Sequence, residues 1–332
     1  MLCQRPDGRR LRDGQVAAIL ADMRRLAVPL ATCVAVLAAA APAANAGVAG
    51  KRVAEDPSAV RAYWTPARMA NAVPVGLERG APAHPRVKGG HGGGGGSTTP
   101  TWSSGAVDLS EPLARTNGKV FFTEGGVNYV CSGTAIDSDS DVVAWTAGHC
   151  VNDGNGTFAT NWTFVVGYRT ASEQKFPASA LFTTTSWAAP GGDEFGEDFG
   201  AGRLATDSNT LTAAVGGSLR QYSFSGALPL NAKVTAYGYP AAGKFKGTTL
   251  WKCASFVDLL DQNSDPAAMG IPCDMTGGSS GGGWIDSNGR LVSVNSYGYP
   301  GLKYMFGPQP GASASSVLAA ADGAGGDAVV GN

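Results

Sequence analysis

From about Ser110 onward the chain alternates short apolar, β-branched or aromatic runs with clusters of turn residues. Lys119–Thr123, Val127–Cys131, Asp141–Trp145, Trp162–Val166, Lys233–Tyr237 and Arg290–Val294 each have the length and residue types of a strand. Gly, Asn, Asp or Pro stands between them. The pattern predicts an all-β domain over residues 101–321, closed by one short C-terminal helix at Ser313–Ala321. The Gly-rich residues 322–332 then read as a flexible tail.

The first hundred residues follow another pattern. From Met23, Arg24 and Arg25 precede an apolar run of 16 from Leu26 to Ala41, and Ala44-Asn45-Ala46 offers a small-x-small cleavage site. That order is an export signal, and the run is short of the roughly 20 residues that span a bilayer. Residues 1–46 are therefore an N-terminal extension plus signal peptide, and the mature protein is expected to be secreted and extracellular, with no membrane attachment. Residues 47–100 are rich in Ala, Pro and Val and end in a tract with five consecutive glycines at 92–96. They read either as a pro-region that docks on the following domain before removal, or as a disordered spacer.

Charge sharpens this division. Residues 1–100 carry 13 basic and 6 acidic side chains, and residues 101–332 carry 12 basic and 20 acidic. An acidic C-terminal part disfavours nucleic acid as a partner. The domain is expected to act as a monomer. Glycine, at 48 of 332 residues, is about twice its usual share, whereas histidine occurs only three times. So few imidazoles leave little material for a zinc site, and no metal or other cofactor is expected.

Four of the six cysteines lie beyond the signal, an even number in an exported chain. Cys131 with Cys150 and Cys253 with Cys273 each close a loop of strand, turn and return strand, and each bridge contributes about 3 kcal/mol. His149 sits in Thr146-Ala147-Gly148-His149-Cys150, so the first bridge would pin the backbone that carries a candidate base. Far downstream, Thr276-Gly277-Gly278-Ser279-Ser280-Gly281-Gly282-Gly283-Trp284 places two serines among glycines. Such a segment can turn sharply and aim backbone N–H groups at one point, as an oxyanion hole requires.

These two segments, T-A-G-H-C and G-x-S-G-G, resemble the trypsin-like (chymotrypsin-fold) serine peptidases, and in particular the secreted bacterial branch related to glutamyl endopeptidases. The resemblance spans roughly Gly118 to Phe306. It implies two antiparallel β-barrels with the site between them, Ser280 as nucleophile, His149 as base, and the Gly278 and Ser280 amides as the oxyanion hole. It also implies an aspartate between the two. Asp198 fits best, 49 residues after His149 and 82 before Ser280, with Asp193 and Asp207 as competitors. The implied activity is a serine endopeptidase acting on protein or peptide substrates through an acyl-enzyme, and a docked pro-region would make the chain a zymogen. The rival reading is a catalytically silent relative that binds protein through an intact-looking site.

By the same resemblance, Asp274, Ser296, Tyr297 and Gly298 would form the substrate pocket. Asp274 stands six residues before Ser280, which suits cleavage after Arg or Lys, although it also suits a turn beside Cys273. After residue 100 the only histidine is His149, so a histidine-lined glutamate pocket is excluded, and Asn295 stands where such a histidine would be. Asp137, Asp139 and Asp141 resemble the opening of a calcium loop but lack its glycine and distal glutamate, and read as a solvated turn.

Overall fold

In the computed structural model, residues 47–76, 85, 87–88, 102–191, 194–205 and 210–323 are described. The expected export signal, the glycine tract and the tail beyond Gly323 lie outside them. A leader supplies β1 (Val48–Arg52), β2 (Val73–Pro74) and β3 (Val87–Lys88), with two short helices, Pro57–Tyr63 and Pro66–Asn71, between β1 and β2. Then come β4 (Ser103–Ala106), β5 (Asn117–Glu124), β6 (Val127–Ala135), β7 (Val143–Thr146), β8 (Thr160–Val166), β9 (Gln174–Thr184) and β10 (Gly200–Leu204). The second half holds β11 (Lys233–Gly238), β12 (Trp251–Phe256), β13 (Leu259–Asp261), β14 (Ala268–Pro272), β15 (Gly283–Asp286), β16 (Leu291–Val294) and β17 (Tyr304–Gly307).

In the first half, β9, β10, β7, β6, β5 and β8 pair in that order, all antiparallel, and β8 returns to β9 to close a six-stranded barrel. Closure pairs every one of these strands on both sides, but β8 reaches only Gln174–Pro177 of β9 and leaves the rest of that edge open. Trp145, Trp162, Phe164, Phe182 and Phe199 are buried in one cluster within it. The second half forms two sheets, β16-β15-β11-β12-β4 and β17-β14-β13-β3. Chain continuity joins them: β12 runs through Val257 and Asp258 into β13, and beyond β16 Tyr297 bridges Phe306 of β17. The C-terminal helix spans Ala312–Asp322 and buries Ala314, Val317, Leu318 and Ala321. Its Asp322 carboxylate accepts the Asp139 and Ser140 amides, so the acidic turn at 137–141 is tied to the helix end.

The strands that the sequence pattern misses have physical reasons for being quiet. β9 contains Pro177 and is buried on both faces, so it shows no alternation. β14 (AMGIP) and β15 (GWID) are short and carry glycine or proline.

Residues 47–76 are not a spacer but pack on the first barrel. β1 adds to the edge of β9 over five residues, Val48 opposite Thr184 through Arg52 opposite Ala180. Val60, Trp64 and Met69 are buried with Phe121, Val130, Val165 and Tyr168. Phe121 and Phe122 point to opposite faces of β5, yet both are buried, because the leader covers the outer face. Trp64 donates from Nε1 to the Asn161 carbonyl at 2.5 Å, and Lys175 Nζ donates to the Trp64 carbonyl at 2.6 Å.

Lys119 is buried on the same face, donating to the Gly247 carbonyl at 2.7 Å with the Tyr168 ring 4.5 Å away. Burial, with Arg169 adding repulsion, pushes its ammonium down to about 7. The unfolded chain binds this proton up to about pH 10.5 and the folded chain only up to about 7, so wild-type stability rises with pH across that window. Lys119→Met is therefore expected to gain stability relative to wild type at pH 6 and to gain less at pH 9.5. The difference between the two pH values should be on the order of 3 kcal/mol, read by urea denaturation at both.

Candidate active site

His149 lies in the 3-10 turn Gly148–Cys150 that ends β7, and the Cys131–Cys150 disulfide ties this turn to β6. The second bridge, Cys253–Cys273, links β12 to the residue after β14. Asp198 follows the 3-10 turn Phe195–Glu197 and is fully buried. Its Oδ1 accepts the His149 backbone N–H at 2.8 Å and its Oδ2 faces His149 Nδ1 at 2.8 Å. One carboxylate thus holds both the backbone and the ring of the histidine. Gly148 makes room for it, since a Cβ there would stand 2.9 Å from Asp198 Oδ1 and 2.8 Å from Thr183 Oγ1. Asp193 and Asp207 lie outside the described residues.

Ser280 occupies the turn between β14 and β15. Its carbonyl accepts the Ser132 amide at 2.7 Å, and the next amide, Gly281 N–H, donates to Asn295 at 2.7 Å. Ser132 makes two further bonds to this region: its Oγ donates to the Gly278 carbonyl at 2.9 Å and accepts the Tyr239 amide at 2.9 Å. Because Ser132 directly follows Cys131, the strand bridged to the histidine turn also holds the serine turn. Asn295 is a buried strut, with Nδ2 donating to the Tyr237 and Ser279 carbonyls and Oδ1 accepting Trp284 Nε1. It is not a pocket group.

The two serines differ in what they bond. Ser279 Oγ donates to the Thr276 carbonyl at 2.8 Å, closing its own turn. Ser280 Oγ and His149 Nε2 are both buried and have no hydrogen-bond partner among the described residues. The Gly278 amide donates at 3.1 Å to the carbonyl of Val75, in the leader.

Of the four residues expected to form the pocket, Asp274 and Gly298 line a cavity of about 780 Å³ together with Phe245, Met275, Leu302 and Tyr304. Ser296 and Tyr297 are not among its lining residues. Ser296 Oγ donates to Asp198 Oδ2, the oxygen that faces the histidine ring, and Tyr297 OH donates to the buried Asp261 at 2.7 Å. A hydroxyl that satisfies a buried carboxylate was not legible from spacing alone. Nor was Lys244, whose Nζ lies 2.5 Å from Asp274 Oδ2. Among the described residues, the one cluster with metal-ligand geometry is Cys131, His149 and Cys150, and its two sulfurs are bonded to each other.

Residues 131–294 match a family model described as a trypsin-like peptidase domain. Among solved structures the chain is similar to the protease Anisep from Arthrobacter nicotinovorans, at 38% identity over 63% of this chain and 95% of that one, with a TM-score of 0.57. It is also similar to a thermostable serine protease from an extremophilic microorganism, at 36% identity over 62% and 97%, TM-score 0.57. A Glu endopeptidase solved in complex with MPD shares the fold at 19% identity over 67% and 97%, TM-score 0.51. No curated protein sequence matches the chain.

Proposed function

The chain belongs to the trypsin-like serine peptidases, and on that premise we propose that it is a secreted endopeptidase with Ser280 as nucleophile, His149 as base and Asp198 orienting the base. The observation that carries this reading is the paired grip of Asp198 on His149, which leaves Nε2 without a partner among the described residues. A carboxylate at Nδ1 keeps that proton on Nδ1, so Nε2 presents its lone pair to a hydroxyl. Ser280 Oγ attacks the scissile carbonyl as its proton passes to His149 Nε2, and the oxyanion is held by the Gly278 and Ser280 amides. The imidazolium, stabilised by Asp198, gives the proton to the leaving amine. Water then repeats the sequence on the acyl-enzyme and releases the acid.

Secretion is supported by the basic-apolar-small order at the N-terminus and by the two disulfides, and in this reading residues 1–46 are removed on export and 47–100 form a pro-region. A fluorophosphonate probe tests the site: it should label Ser280 stoichiometrically once the leader has been released. Labelling at Ser279 instead, or no labelling of folded, leader-free protein, overturns the assignment.

The pocket chemistry argues against cleavage after Arg or Lys. Asp274 is already neutralised by Lys244, and Lys303 lines the same cavity, so a basic side chain meets no net negative charge. Phe245, Met275, Leu302 and Tyr304 instead favour a large apolar residue. Lys244→Met should free the carboxylate and raise kcat/KM for substrates cut after arginine by about ten-fold relative to leucine, a shift of about 1.4 kcal/mol. Competing peptide substrates analysed by mass spectrometry would read the ratio. An unchanged ratio would mean that Asp274 does not face the substrate.

A further inference from the structure

We propose that Val73–Gly76 is a strap that holds the active site shut from within, and that it goes on doing so after the chain has been cut downstream of it. The proposal rests on the site reading above. β2 pairs in parallel with β6, Val73 opposite Tyr129 and Pro74 opposite Val130, immediately before Cys131. The next residue makes two bonds across the cleft: Val75 N–H donates to the Val130 carbonyl at 3.1 Å, and the Val75 carbonyl accepts the Gly278 N–H at 3.1 Å. That amide is one of the two groups assigned to the oxyanion. It has a single proton to give, so while Val75 holds it a substrate carbonyl has to do without it. The approach is close, since a Cβ on Gly277 would fall 2.6 Å from the Val75 oxygen.

The strap resembles a bound peptide but is not set up to be cut. A substrate places the carbonyl of one residue at the oxyanion donors and the side chain of that same residue in the specificity pocket. Here the carbonyl belongs to Val75, whereas the residue lining the cavity with Asp274, Thr276, Gly277 and Gly298 is Gly76, which has no side chain to insert. The Val75 carbonyl takes the Gly278 amide but not that of Ser280. Ser280 Oγ and His149 Nε2 have no partner among the described residues, so the nucleophile is covered without being engaged.

What precedes the strap explains its persistence. β1 is paired with β9, Trp64 is fully buried, and Tyr63 OH donates to Asn128 Oδ1 at 2.9 Å. Asn161 N–H donates to Glu55 Oε1 at 3.0 Å. These contacts all lie upstream of Val73. A cut anywhere between Gly76 and Trp102 leaves them intact, and the product is a two-chain complex with the strap in place. Activity then depends on departure or destruction of residues 47–76, not on the cut itself.

The test uses the full chain. Inserting Gly-Ser-Gly between Ala72 and Val73 lengthens the strap while leaving both its anchor and the catalytic groups untouched. A double variant, Val73→Gly with Pro74→Gly, loosens the same stretch at constant length should the insertion disturb folding. The readout is the rate of Ser280 labelling by diisopropyl fluorophosphate, with intact mass recorded. Wild type should label at least about ten-fold more slowly than either variant, because only the strap-free fraction reacts. Wild type cut once between Gly76 and Trp102 by an added protease should stay slow. Equal rates in wild type and variants would overturn the strap alone. So would a new N-terminus at Gly76 that is absent from Ser280→Ala, which would make the segment a substrate. Absence of labelling in every folded form would remove the site reading and the strap with it.

Discussion

Ser280→Ala is expected to yield a folded protein whose kcat, once the leader is released, is lower by about a million-fold. The size follows from the proposed chemistry: without the hydroxyl no acyl-enzyme forms, and what remains is substrate binding plus the oxyanion amides. The structure argues that the loss will be purely chemical. Ser280 Oγ has no hydrogen-bond partner among the described residues, and the contacts that fix the turn run through the Ser280 carbonyl and the Gly281 amide, which alanine keeps. The denaturation midpoint should therefore not fall. Ser279→Ala is the matched control, because its hydroxyl does support the turn. It should cost about 1 kcal/mol of stability while leaving most of the activity. The opposite pattern, activity lost with Ser279 and kept with Ser280, would reassign the nucleophile.

The second large effect is expected at Asp198. This carboxylate accepts from three donors, the His149 backbone N–H, His149 Nδ1 and Ser296 Oγ, and it is fully buried. Asparagine offers one oxygen and one NH2 group, so Asp198→Asn must turn a donor toward at least one of the three. If the NH2 faces Nδ1, the imidazole proton moves to Nε2 and the base presents a proton where a lone pair is needed. A drop in kcat of about ten-thousand-fold at neutral pH is expected, with little change in overall structure. Stopped assays across pH would show partial recovery in alkali, where the hydroxyl needs less help. Ser296→Ala removes one of the three donors and leaves the tautomer unchanged, so its effect should be smaller by orders of magnitude. A comparable loss in both variants would mean that the full set of hydrogen bonds to Asp198, and not the tautomer of His149, carries the effect.

How much of this was visible in the chain depends on whether a feature is local. The strands around Phe121, Val165 and Val294 announce themselves because β-branched and aromatic residues cluster between turn formers. The histidine and serine segments do so because the disulfide and the glycines needed beside them are sequence neighbours. Ser296, Asn295 and Lys244 could not be read in this way, since each acts on a group on a different element. The leader, for which a docking pro-region and a spacer were both open, is the instructive case. Asp56-Pro57 and Thr65-Pro66 are N-cap residues followed by proline at the first helical position, and both caps are made in the structure. These were legible start signals, obscured by helices of only seven and six residues and by an Ala- and Pro-rich composition that suggests a spacer. No local pattern tells that such helices find a tryptophan-sized site on a barrel 50 residues downstream.

Ser132 bears on when the enzyme comes into being. It belongs to the first barrel, yet its amide and hydroxyl bond the turn that carries Ser280, which is built by strands from the last quarter of the domain. A nascent chain that has completed only its first barrel therefore owns the paired His149 and Asp198 but not Ser280, and the second half alone would own the serine turn without its clamp. On the proposed assignment, catalytic competence is thus a property of late assembly, because Ser280 joins His149 and Asp198 only when the two halves meet.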